Sequence, residues 1–245
     1  MNPISEFQEE CGQRIASYEK NMQLRRAADV FMAESVIPKY SYNFTWLGRP
    51  IIQYPQDMIA VQEIIWQTKP DLIIETGIAH GGSLIFHASI LQMLGGGKVL
   101  GIDLDIREHN RSEIENHPLA HMITMIEGSS TSPEIIGKVV KFALDFKKIM
   151  VVLDSNHTYD HVIKELELYA PIVSEGSYLI VFDTFIENLP ASLYPDRPWE
   201  KGNNPMTAVR DFLNVSKDFE VDRNIQNKLL ITTAPEGYLR KKKIN

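Results

Sequence analysis

The chain has 245 residues, 44% of them apolar, with 25 Lys and Arg against 32 Asp and Glu, a net charge of −7. That length suits one globular domain that buries most of its apolar surface without staples. The acid excess argues against a dedicated nucleic-acid binder, and the single cysteine, Cys11, excludes an internal disulfide framework or a Cys-rich metal site.

The first residues carry neither a basic n-region nor an apolar h-region, and no run approaches the ~18 apolar residues of a membrane span, so a cytoplasmic protein without a membrane partner is expected. Residues 4–36 place apolar side chains at helical spacing, among them Ile15, Tyr18, Met22, Val30 and Phe31, and predict one or two amphipathic helices. Pro38 stops that run, and residues 43–50 read as an aromatic-rich connector. A helix is expected over 56–68, ended by Pro70. From there apolar runs at 72–76, 98–103, 121–127, 149–154 and 178–183 alternate with helical segments at 83–94, 132–145 and 159–169. Strands apolar on both faces, each leading to a helix, require a parallel sheet covered on both sides, so the expected fold is doubly wound α/β. Residues 186–205, rich in Pro and Asn, predict a long loop over the ligand edge. A helix near 205–215 and strands around 219–222 and 228–233 complete the expected sheet, and the basic residues 240–243 read as a solvated tail.

Ligands of open parallel sheets bind beyond the carboxyl ends of the strands. The residues leaving the five expected strands are Glu75, Asp103, Glu127, Asp154 and Asp183, all acidic. Close like charges repel unless a cation offsets them, so the pattern points to cationic ligands. The first exit, from Glu75 through Gly77, Gly81 and Gly82 to Ser83, is neither G-x-G-x-x-G nor a Walker loop. An acid two residues before the first glycine suits a cofactor with a cationic amino-acid end. Asp103 sits where an acid accepts from both ribose hydroxyls of an adenosine. NAD and S-adenosylmethionine (SAM) both satisfy that much, and the glycine spacing favours SAM, with Ser129 and Ser130 beside the adenine. If their strands are neighbours, Asp154 and Asp183 could share a Mg²⁺ or another divalent cation, and His157 follows as a general base for an acceptor hydroxyl. A zinc or iron site using His157 and His161 is disfavoured: Thr158 stands where a zincin has Glu, and His161 is expected to face away from the strand ends. Trp46, Arg49, Gln53, Tyr54 and Tyr159 are candidates for the acceptor pocket or, more often for such residues, core.

The segments Asn43–Gly48, Pro55–Asp57, Gln62–Trp66, Lys69–Gly77 and Gly81–Ser83, then Gly101–Asp103, Asp154–His157 and Val181–Asp183, resemble the cephalosporin hydroxylase / rhamnosyl O-methyltransferase family. The resemblance covers about residues 40–240. It implies a class I SAM-dependent methyltransferase fold with a seven-stranded, mostly parallel sheet whose last strand is reversed. It implies O-methylation of a sugar or other small metabolite with a divalent metal. Carried over by position, Glu75, Gly77, Gly81 and Ser83 would contact SAM, Asp103 its ribose, and Asp154 and Asp183 the metal. His157 resembles the base of related macrolide-sugar methyltransferases. Some relatives carry two adjacent acids at the fifth exit; here Phe182 precedes Asp183, leaving Thr184 as the next oxygen-bearing side chain for a third ligand. The expected organisation is a helical extension over 1–40, offering a surface for self-association, and a methyltransferase domain over 41–245. An NAD-dependent oxidoreductase and a non-catalytic SAM-binding module are the alternatives.

Overall fold

The computed structural model describes residues 2–193 and 195–243. Two helices, α1 (Pro3–Tyr18) and α2 (Met22–Val36), lead the chain, each started by an asparagine cap: Asn2 accepts from Ile4 N at 3.0 Å and Asn21 from Leu24 N at 3.0 Å. The expected connector at 43–50 is a small antiparallel hairpin, β1 (Phe44–Trp46) and β2 (Arg49–Ile51), turned through Gly48. Helix α3 (Pro55–Thr68) opens with proline at its first position and closes on Lys69 in the left-handed region.

The main domain then runs β3 (Leu72–Thr76), α4 (Gly82–Met93), β4 (Lys98–Asp103), α5 (Glu108–Glu115), β5 (Ile123–Glu127), α6 (Pro133–Ala143), β6 (Ile149–Leu153), α7 (Tyr159–Tyr169), β7 (Tyr178–Val181), α8 (Pro205–Val215), β8 (Phe219–Val221), α9 (Arg223–Leu229) and β9 (Tyr238–Lys241). The sheet order is β5-β4-β3-β6-β7-β9-β8; the first five strands are parallel and β9 runs antiparallel to both its neighbours. The seven-stranded doubly wound sheet with one reversed strand is the expected fold. Alternate residues feed its two faces: Ile73, Met150, Val152 and Ile180 pack into one core layer, and Leu72, Ile74, Val151 and Leu179 into the other. From β3 the chain winds outward to β5 and returns to β6 beside β3, which places the topological switch point between β3 and β6.

Three expectations are corrected here. Residues 228–233 form no strand: α9 occupies Arg223–Leu229, and the missing strand is β9, ten residues later. Arg240 and Lys241 are therefore part of the sheet rather than a solvated tail, and Lys241 Nζ donates to the carbonyls of Ala170 (3.2 Å) and Val173 (2.8 Å). Helix α5 occupies a stretch in which the sequence pattern predicts no element. Among the described residues no helix is long and apolar enough to cross a membrane.

The displaced 228–233 segment has another task. Asp57, fully buried in the first turn of α3, accepts from Thr232 Oγ1, Thr233 N (2.9 Å), Thr233 Oγ1 (3.3 Å) and Tyr238 Oη (2.7 Å). One carboxylate thus ties the entrance of the domain to its last strand, and burial pushes its pKa up against those four donors. Truncation to Asp57→Ala would leave Thr233 N–H and the Tyr238 hydroxyl buried without acceptors. Denaturant unfolding of that variant is expected to show a loss of about 3 kcal/mol; a loss within experimental error would show that these bonds are replaced by water.

Candidate active site

The exits of β3 and β6 touch through their backbones. Gly77, at φ +93°, has no room for a side chain, since a Cβ there would lie 2.1 Å from the Asp154 carbonyl oxygen. Only glycine accepts both that φ and that approach. At the start of α4, a Cβ on Gly82 would lie 2.2 Å from the Pro50 carbonyl oxygen, so the hairpin also closes onto this loop. Arg49 secures it there, donating to the His80 carbonyl at 3.0 and 2.7 Å and to Asn110 Oδ1 at 3.1 Å. From the neighbouring strand Asp103 Oδ2 accepts from Ile78 N (2.7 Å) and Ala79 N (3.3 Å), which fixes the loop from its other side.

Glu75 lies under this loop, 2% exposed. Its Oε1 accepts from Ser83 Oγ at 2.5 Å, and its Oε2 lies 3.0 Å from His87 Nε2 without an aligned hydrogen bond. A buried carboxylate with spare acceptor capacity fits a ligand carrying a cationic group. Gly77, Ser83 and Asp154 line one cleft with Glu75, and Gly81, left-handed, caps α4 beside them. Beyond β5, Ser129 Oγ is bonded within its own turn to Thr131 Oγ1 (3.1 Å), and the buried Ser130 Oγ lies 3.1 Å from His161 Nε2.

His161 corrects an expectation. It sits in the first turn of α7, so it faces back toward the strand ends, where it meets Ser130, Ser155 Oγ (3.2 Å) and the fully buried Glu165 (3.5 Å). His157 precedes the helix and turns the opposite way, so the two histidines share no site. Glu127, the third of the five exit acids, is exposed and paired with Arg111 at 2.7 Å, outside the cleft.

Asp154, His157 and Asp183 each present a donor atom within 4.8 Å of the others, the one group of that kind among the described residues. His157 Nε2 is 3.1 Å from Asp183 Oδ2, and Gln53 Nε2 donates to Asp154 Oδ2 at 3.3 Å. Asp183 has φ +57°, a left-handed conformation that Asp tolerates better than most residues and that marks functional positions. Thr184 is not a third ligand: its Oγ1 is buried and donates to the carbonyls of Pro235 (2.6 Å) and Thr233 (3.4 Å). His157 lies within reach of both carboxylates. Two carboxylates with that imidazole beside them fit a small divalent cation that keeps water or ligand oxygens.

Segment 186–205 does reach the site. Trp199 packs edge-on against His157, centroids 4.7 Å apart at 84°, with the Arg197 guanidinium 5.2 Å above the indole. Glu187 anchors the segment by accepting from Gly202 N (2.8 Å) and Asn204 Nδ2 (2.6 Å). Of the acceptor-pocket candidates only Gln53 touches a site acid. Trp46 donates to Ser89 Oγ (3.0 Å) on α4, Tyr54 bonds Ser35 (2.7 Å), and Tyr159 bonds Asp211 (2.9 Å).

Negative charge accumulates around Asp154. Burial, then the carboxylates of Asp183, Glu75, Glu165 and Asp57, hold its pKa well above the ordinary carboxylate range. No lysine or arginine approaches the Asp154–His157–Asp183 group within ion-pair distance among the described residues.

Comparison with known proteins follows the same outline. The family model described as rhamnosyl O-methyltransferase/CmcI matches residues 38–242. A rhamnosyl O-methyltransferase of Mycobacterium tuberculosis is 31% identical over 203 residues, covering 80% of this chain and 77% of that protein. An apo structure of CmcI superposes with a TM-score of 0.59 at 20% identity, covering 83% of this chain and 78% of that one. A structure of CmcI with Mg and SAM gives 0.56 at 18% identity, covering 82% and 78%.

Metal-free protein tests the electrostatics. A carboxylate whose pKa is raised on folding supports stability below its unfolded value near 4 and withdraws that support as pH rises through the raised value. In chelator, Asp154→Asn is therefore expected to melt above the wild type at pH 8, and the difference to shrink toward pH 4. A wild type that melts higher at pH 8 would contradict the charge account.

Proposed function

The chain belongs to the rhamnosyl O-methyltransferase/CmcI family, and on that footing we propose that it methylates a hydroxyl of a small acceptor, with SAM as donor and Mg²⁺ or another divalent cation as cofactor. It is a SAM-dependent O-methyltransferase. The observation that carries the reading is the Asp154–His157–Asp183 group at the β6 and β7 exits, beside a glycine loop backed by a buried glutamate.

When bound, SAM supplies a methyl on a sulfonium, and the cation held by Asp154 and Asp183 lowers the pKa of an acceptor hydroxyl. Glu75 and Ser83 hold the amino-acid end of the cofactor, with the backbone of Gly77 and Gly81 against it. Asp103 accepts from the ribose hydroxyls, and Ser129 and Ser130 flank the adenine. His157 would take the acceptor proton on the ring nitrogen that does not face Asp183, as the oxygen–methyl bond forms and the sulfur–methyl bond breaks to leave S-adenosylhomocysteine (SAH) and the methyl ether. Asp183, 3.1 Å away, orients that imidazole, and Trp199 with Arg197 above it keeps bulk water from it. Gln53 steadies Asp154.

The acceptor is read as a sugar or similar diol. A cavity of about 710 Å³ lies between α2, the segment after Asp183 and the end of α9, lined among others by Arg25, Asp29, Phe185, Glu187 and Lys201. A lining that mixes two cations, two anions and apolar side chains suits a neutral, hydroxyl-rich ligand on an apolar carrier. In this reading residues 41–245 form the catalytic domain, and residues 1–40 an extension that walls the acceptor cavity. The exposed Ile4, Phe7, Met22 and Val30 on its outer face favour self-association.

Asp154→Ala is expected to cut turnover at least ~100-fold while leaving the calorimetric Kd for SAM within about threefold. Activity surviving both that substitution and EDTA would overturn the metal role, and tight binding of NAD in place of SAM would overturn the reading. Arg25→Ala is expected to raise KM for methyl α-L-rhamnopyranoside about 10-fold without moving KM for SAM, the size of one lost charged hydrogen bond. An unchanged acceptor KM would remove the cavity from the acceptor site.

A further inference from the structure

The α4 helix carries Ser83 and His87 one turn apart, with the polar Ser89 further along its otherwise apolar run to Leu91. Their i, i+4 spacing puts both on the face that meets Glu75. Ser83 Oγ holds Oε1 at 2.5 Å and His87 Nε2 stands 3.0 Å from Oε2, so the two carboxylate oxygens face two side chains of one helix. Glu75 and His87 are 2% and 3% exposed, and they share a small cavity with Val61, Phe86, Val152 and Phe182 and with the polar Gln53 and Asp57. Glu75 and Ser83 line the open cleft with Gly77 and Asp154; His87 does not, and lies behind them on the closed side.

Resting on the SAM-dependent reading above, we propose that His87 is a positioning residue that holds Glu75 in register for the amino-acid end of the cofactor. His87 Nδ1 is buried with no partner, so the imidazole has one polar neighbour, Glu75 Oε2, which its Nε2 approaches at 3.0 Å without an aligned hydrogen bond. Ser83 and His87 together prevent the carboxylate from rotating about its long side chain. Their common helix starts at the glycine loop, so the loop and the acid that serve the cofactor are set by one rigid element.

Calorimetric titration of the full chain with SAM and with 5′-methylthioadenosine tests this, because the second ligand keeps the adenosine and sulfur but has no amino-acid end. His87→Leu is expected to weaken SAM about 10-fold, through loss of the polar contact that holds Glu75 in place, while the methylthioadenosine Kd stays within twofold. His87→Gln, whose amide N–H reaches about as far, is expected to keep SAM within about threefold of wild type. If His87→Leu lacks a cooperative melt, His87→Asn, polar but too short to reach Glu75, takes its place with the same expectation. Equal weakening of both ligands would assign His87 a structural role only, and unchanged SAM affinity would overturn the proposal outright. Wild-type protein that binds methylthioadenosine but not SAM would instead overturn the reading on which it rests.

Discussion

Like charge held at close quarters is the constraint around which this molecule is arranged. Asp154 feels the carboxylates of Asp183, Glu75, Glu165 and Asp57. The strand-exit acids among them converge because Gly77 lets the β3 and β6 exits touch, and because Asp183 adopts a left-handed backbone at the β7 exit. A fold with only stability at stake would place neutral side chains there, since each buried acid must be offset by donors or cations.

The acids are offset in two different ways. Asp57 is satisfied by four donors from the 232–238 segment and works as a structural tie. Glu165 is held by Ser155 at 2.8 Å and approached by His161. Glu75 and Asp154 line one cleft and Asp183 stands beside Asp154, with Ser83, Gln53 and His157 as the nearest polar neighbours of the three. That division separates acids that build the fold from acids that await positive ligands. A sulfonium cofactor with an ammonium end and a divalent cation are the two positive ligands of the proposed reaction, and each has its own share of the acids.

Much of the fold was legible because parallel strands buried on both faces leave uninterrupted apolar runs. Residues 72–76 and 98–103 are strands with the expected bounds. The failures have local causes. Helix α5, Glu-His-Asn-Arg-Ser-Glu-Ile-Glu, buries Ile114 as its one apolar side chain, so it has no periodic signature. Leu229 to Thr233 looks like a strand by composition, but Leu229 packs the end of α9 while Thr232 and Thr233 serve Asp57, 175 and 176 residues away. No local pattern reports a bond of that span. The site acids could be read because each ends a strand. Their partners could not: His87 is hidden in an apolar helix, Trp199 in an irregular segment, and His161 faces the strand ends only because α7 starts two residues before it.

The central claim is that Asp154 and Asp183 share a cation. Crystals grown with Mn²⁺ and SAH, measured at the manganese absorption edge, test it without reference to any acceptor. The account requires an anomalous peak bound by Asp154 and Asp183 beside His157, abolished in Asp154→Ala. A well-ordered SAH with no peak at those carboxylates would contradict it.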